Sequence, residues 1–123
     1  MIGAPRGRPL ILHVEDNDPQ RDGLKVILEG NGFAVLQAET AEEALRMCRE
    51  TPVSLIVADH MLGGMTGAEL AANIKAFKPS LPVVMHSGSP PTSMAHLDGF
   101  IQKGESVGSL IAFLRELINR SRE

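Results

Sequence analysis

The chain has 123 residues, enough for one hydrophobic core and too few for a second folded unit with its own. Hydrophobic residues make up 43% and charged residues 22%, near the globular average, which argues against wholesale disorder and against a coiled-coil rod. The balance of 12 Lys+Arg against 15 Asp+Glu gives a formal charge of -3, no footprint for a polyanion, and no apolar run approaches the roughly 18 residues of a membrane span.

Taken in chain order, short apolar runs alternate with amphipathic stretches. Residues 1–8 read as a loose N-terminal segment and 9–121 as the folded domain; the apolar stretch after Arg8 is too short for a signal-peptide core, so the expected location is cytoplasmic. Leu10 to Val14 is the first strand, after which Asp18 is expected to cap a helix that tolerates Pro19 in its first turn and ends near Gly30. Phe33 to Ala38 reads as the second strand, and Thr40 caps a helix carrying Ala41, Ala44, Leu45 and Cys48 on one stripe, ended by Pro52. Ser54 to Ala58 is a nearly continuous apolar run, as expected of a strand buried on both faces. Thr66 and Glu69 form a capping box ahead of Leu70, Ile74 and Phe77, and that helix stops before Pro79. Pro82 to His86 and Phe100 to Gln102 are the last two strands, and Ser106 caps a final helix with Leu110, Phe113, Leu114, Leu117 and Ile118 on its apolar face. Such alternation in a short chain predicts a five-stranded doubly wound parallel sheet, flavodoxin-like in order 2-1-3-4-5, with helices on both faces.

Ligands of open parallel sheets bind outside the carboxyl ends of the strands. Those ends carry Glu15 and Asp16 after strand one, Asp59 after strand three, Ser87 after strand four and Lys103 after strand five. Three carboxylates on one rim repel each other unless a cation sits among them or their pKa values rise. Oxygen-only donors favour a hard ion that keeps its waters, most simply Mg²⁺. A hydroxyl and an ammonium on the same rim complete a site for an oxyanion such as phosphate.

At these residues the sequence resembles the receiver domain of bacterial two-component response regulators, over nearly all of residues 9–120. The resemblance is carried by Leu10-Ile11-Leu12-His13-Val14-Glu15-Asp16-Asn17, by Asp59 with Gly67 eight positions on, by His86-Ser87-Gly88 and by Asp98-Gly99-Phe100-Ile101-Gln102-Lys103. It implies that Asp59 is the nucleophile that takes a phosphoryl group from a phosphohistidine on a sensor histidine kinase or phosphotransfer protein, or from a small phosphodonor. It implies further that Asp16, Asp59 and the carbonyl of Met61 bind Mg²⁺ directly and Glu15 through water. Lys103 and Ser87 would hold phosphoryl oxygens, and Phe100 would be the switch aromatic that carries the change to a downstream protein target. The implied activity is that of a self-phosphorylating acceptor, not of an enzyme turning over an external substrate. Met61 and Ser89 stand at positions resembling those where the family adjusts phosphoryl lifetime.

Each residue also has a plainer reading. The acids at 15–18 could merely sit near a positive helix end, and Phe100 could simply anchor a short strand. His13, His60, His86 and His96 lack metal-ligand spacing and read as structural or solvent-facing, with His60 the one placed to tune phosphoryl lifetime. Met61, Met65, Met85 and Met94 read as packing, and Cys48 as a buried inert thiol that has no partner for an internal disulfide.

Two departures from the family pattern stand out. Gly104 follows Lys103 where a proline, often cis, is usual, so Gly104 either accepts that geometry or places the lysine differently; Gly63 likewise replaces a common proline. Ser87 and Lys103 are 16 positions apart, about six fewer than is typical of the resembled family, and Ser89–Leu97 holds two prolines. A parallel crossover ordinarily needs about a dozen residues, so the fourth helix is predicted to be truncated or absent, and the usual dimer mode cannot be carried over. The oligomeric state is not legible. Two other functions fit parts of the pattern: an interaction module that is never phosphorylated, and a haloacid-dehalogenase-like phosphatase, whose second Asp is Met61 here.

Overall fold

The computed structural model describes residues 8–121; residues 1–7 of the expected loose segment lie outside them, while Arg8 donates its Nη2 to the Phe33 carbonyl at 3.1 Å. The elements run β1 (Leu10–Val14), α1 (Asp18–Gly30), β2 (Ala34–Ala38), α2 (Ala41–Glu50), β3 (Leu55–Ala58), α3 (Gly67–Phe77), β4 (Val83–Ser87), β5 (Gly99–Gln102) and α4 (Val107–Ser121). All strands are parallel, in the order β2-β1-β3-β4-β5 that the alternation predicts.

Side chains alternate across the pleat and build two cores. Leu12, Val14 and Ile56 meet Ala44 and Cys48 of α2 and Leu70 and Ile74 of α3 on one face. Ile11, Val57 and Val84 meet Leu24 and Leu28 of α1 and Leu110 and Leu114 of α4 on the other. Burial on both faces explains why β3 reads as an unbroken apolar run: all four of its residues are buried.

The helix starts follow their caps, with one correction. Thr40 accepts from the Glu43 N–H, and Thr66 with Glu69 forms the reciprocal capping box. At α1 the cap is Asn17, whose Oδ1 accepts from the Gln20 N–H at 3.0 Å; Asp18, expected as the cap, is already the first helical residue. An amide oxygen caps as well as a carboxylate, and moving the start back one residue leaves the Asp18 carboxylate free to pair with Arg21 at 2.6 Å.

No helix lies between β4 and β5. Leu97 packs on the α2–α3 core, and Asp98 stitches the strand start: its N–H donates to the Val83 carbonyl, and its Oδ2 accepts from the Val83 N–H at 2.8 Å and from Lys75 Nζ at 2.7 Å. His96 takes a φ of 67°, a left-handed conformation that non-glycine residues seldom adopt, to make the turn into that stitch.

Candidate functional site

Parallel pairing in register brings the strand ends to one edge. Val14 is level with Ala58, so Glu15 and Asp16 leave β1 beside Asp59 leaving β3, and the Asp59 N–H donates to the Val14 carbonyl at 3.1 Å. One carboxylate oxygen from each of Glu15, Asp16 and Asp59 lies within 4.8 Å of the others. From β5, whose end is tied to β4 by the Lys103 N–H on the Ser87 carbonyl, Lys103 reaches across to them. Its Nζ donates to Glu15 Oε1 at 3.3 Å and lies 3.4 Å from Asp59 Oδ1.

Three negative charges against one ammonium leave two uncompensated, the charge of one divalent cation. Glu15 is only 2% exposed; burial, then the nearby Asp59 charge, raises its carboxyl above the ordinary range, while Lys103 and the Asn17 N–H oppose the rise. Asp16 is exposed and Asp59 half-buried, so the cluster opens to solvent on one side. An all-oxygen donor set of this span fits a hydrated hard cation such as Mg²⁺.

The nucleophile candidate sits on a fixed backbone. Asp59 Oδ1 accepts from the His60 N–H at 2.7 Å, and the Gly67 N–H donates to the His60 carbonyl at 2.9 Å. A Cβ on Gly67 would fall 2.5 Å from the Asp59 carbonyl oxygen, so the helix start can approach this loop only as glycine. Beneath the site His13 is buried; burial first, then His86, Lys103 and Arg21, push its pKa down to about 4 against the pull of Asp59. His86 is lowered too, chiefly by burial. The Nδ1 atoms of His13 and His60 are buried without a hydrogen-bond partner among the described residues.

The other sequence candidates are distributed differently. Ser87 is buried at the end of β4, but its hydroxyl donates to the Ser89 carbonyl at 2.9 Å and is engaged with its own loop. Met61 has an exposed side chain, and its backbone bridges Thr66. Phe100 is half-buried beside a cleft of about 250 Å³ lined also by Ile101, Glu105, Ser109 and Phe113. Among the described residues the peptide bonds are all trans, Lys103–Gly104 included, and Gly104 takes a φ of 99°. Cys48 is fully buried, its thiol pushed up to about 11 by desolvation.

Two neighbours escaped sequence reasoning. Arg21 donates to the Glu15 carbonyl at 2.9 Å, and Gln20 accepts from Lys103 Nζ. The only sequence signal for either is their place in the first turn of α1, one turn past the acids.

A family model described as the response regulator receiver domain matches residues 11–115. The chain belongs to that family. Among curated relatives of this receiver domain, a cyclic di-GMP phosphodiesterase of Thermotoga maritima is 35% identical over 99 residues, covering 76% of this chain and 26% of that protein. The phosphate regulon transcriptional regulatory protein PhoB of Pseudomonas aeruginosa is 31% identical over 119 residues, covering 90% of this chain and 52% of that protein. The receiver domain thus spans about a quarter to a half of the length of these relatives. A receiver domain protein of Methanospirillum hungatei superposes with a TM-score of 0.88 at 26% identity, over 94% of this chain and 98% of that one. The response regulator TrrA of Thermotoga maritima, solved in complex with Mg²⁺-BeF, superposes with a TM-score of 0.84 at 25% identity, over 89% and 98%. As a receiver domain the chain is a phosphoacceptor signalling module, and the reading as a never-phosphorylated interaction module is not favoured. Among the described residues no helix is long and apolar enough to cross a membrane.

Proposed function

We propose that Asp59 is the phosphoacceptor, within a folded unit of residues 9–121 that works in the cytoplasm. A carboxylate oxygen of Asp59 attacks the phosphorus of a phosphohistidine on a sensor kinase or phosphotransfer protein. The O–P bond forms as the N–P bond breaks, and the imidazole nitrogen leaves with the electron pair. Glu15, Asp16, Asp59 and the Met61 carbonyl would hold Mg²⁺, which offsets charge between the attacking carboxylate and the incoming phosphoryl oxygens. Lys103 takes one phosphoryl oxygen. Ser87 takes another once its hydroxyl turns from Ser89, and Phe100 answers that movement at the surface read by a downstream protein.

The single observation that carries this reading is the convergence of Asp59, the two other acids and Lys103 on one open rim. Incubation with acetyl phosphate and Mg²⁺, followed by intact mass, should show one added phosphoryl group in the wild type and none in Asp59→Asn or with the metal chelated. No addition to the wild type would return the reading to an interaction module, and continuous phosphate release over many turnovers would make the protein a phosphatase.

A further inference from the structure

An ammonium on a flexible four-carbon stem does not stay at one place on a rim by itself. The Lys103 N–H is tied to the Ser87 carbonyl at 2.8 Å, which fixes the backbone of the lysine but not the stem beyond it. Two carboxylates draw the ammonium into the acidic cluster, Glu15 at 3.3 Å and Asp59 at 3.4 Å. A third acceptor, the neutral amide oxygen of Gln20, holds it from outside the cluster.

Gln20 is itself held. Its N–H donates to Asn17 Oδ1 at 3.0 Å, and the Asn17 N–H donates to Glu15 Oε2 at 3.3 Å. The bonds close a ring: Glu15 to Asn17, Asn17 to Gln20, Gln20 to Lys103, and Lys103 back to the other oxygen of Glu15. The cap that starts α1 therefore anchors the backbone of the residue whose side chain restrains the lysine.

We propose that Gln20 is a positioning residue for phosphoryl transfer. It holds the Lys103 ammonium toward the mouth of the site, where phosphoryl oxygens arrive, shared with Glu15 and 3.4 Å from Asp59 Oδ1, instead of leaving it to close further onto Asp59. The proposal rests on the roles given above to Asp59 and Lys103. A neutral acceptor suits the task, because it orients the lysine without adding a fourth negative charge to the rim.

The test pairs Gln20→Met, which keeps the length of the stem and removes the acceptor, with Gln20→Glu, which keeps an acceptor oxygen and adds a negative charge. The chain has four lysines, Lys25, Lys75, Lys78 and Lys103, so side-chain ¹³Cε and ¹⁵Nζ resonances of lysine-labelled, metal-free protein resolve Lys103, assigned through Lys103→Arg. Gln20→Met should move the Lys103 resonance and slow phosphorylation by acetyl phosphate roughly tenfold, the consequence of losing one charge-assisted hydrogen bond. Gln20→Glu should return the Lys103 resonance toward that of the wild type while restoring the rate only in part, because it keeps an acceptor and adds a fourth negative charge. An unmoved resonance or an unchanged rate in Gln20→Met, or a Gln20→Glu resonance that stays with that of Gln20→Met, would overturn the proposal. If the wild type takes no phosphoryl group, the role of Asp59 fails, while the resonance still decides whether Gln20 holds the lysine.

Discussion

His13 shows how one buried residue ties stability to pH. It is 2% exposed in the middle of the sheet, its Nδ1 has no partner among the described residues, and its pKa falls to about 4, so the native state keeps the imidazole neutral. The unfolded chain binds that proton near pH 6.5, so the contribution of neutral His13 is complete above that value and is lost as pH falls toward 4. The displacement corresponds to about 3 kcal/mol. Urea unfolding in EDTA at pH 7 and pH 4 should show His13→Leu losing about that much less stability than the wild type over the same interval. Parallel losses in the two proteins would exclude this residue as the source. The sequence reads His13 as structural or solvent-facing, and its burial selects the first. Its proximity to Lys103 and His86 was hidden because they come from strands 73 or more positions away.

At the scale of elements, the helix-free crossover is held by Asp98. Its carboxylate accepts a buried backbone N–H from Val83 and an ammonium from Lys75, so one side chain does what the packing of a helix would otherwise do. Asp98→Ala should cost about 1–3 kcal/mol in urea unfolding, because the Val83 N–H is left without its side-chain acceptor. A loss within measurement error would mean that Leu97 packing alone fixes the segment. The absence of the helix was legible from the 16-residue spacing and two prolines; the stitch was not, because an Asp before Gly99 reads as a turn residue until the strands are paired. Helix starts were legible where a hydroxyl capped them, at Thr40 and Thr66. At α1 four successive polar residues, Glu15 to Asp18, offer several caps, and the backbone path out of β1 selects Asn17.

For the whole molecule, the acidic edge sets a charge conflict that a bound cation would relieve. In EDTA, Asp16→Asn should be more stable than the wild type, by about 1 kcal/mol, since it removes one of three crowded carboxylates. With Mg²⁺ in excess the order should reverse, because the native wild type gains about 2.7 kcal/mol at a metal concentration a hundred times its dissociation constant. Thermal melts of both proteins with and without the metal check the pair of signs; an Asp16→Asn variant stabilised by Mg²⁺ as much as the wild type would remove Asp16 from the metal set. By itself the sequence determined the class of fold, the strand order by analogy of pattern, and the residues that leave each strand, because hydrophobic period, caps and prolines act over a few neighbouring positions. Only the tertiary structure decided that Lys103 bridges Glu15 and Asp59, that Ser87 is turned toward Ser89, and that Gln20 stands over the rim. The Lys103 and Gln20 contacts are distances between separate strands and helices, fixed by strand register, and the turn of Ser87 follows the path of its own loop; no local periodicity encodes any of them.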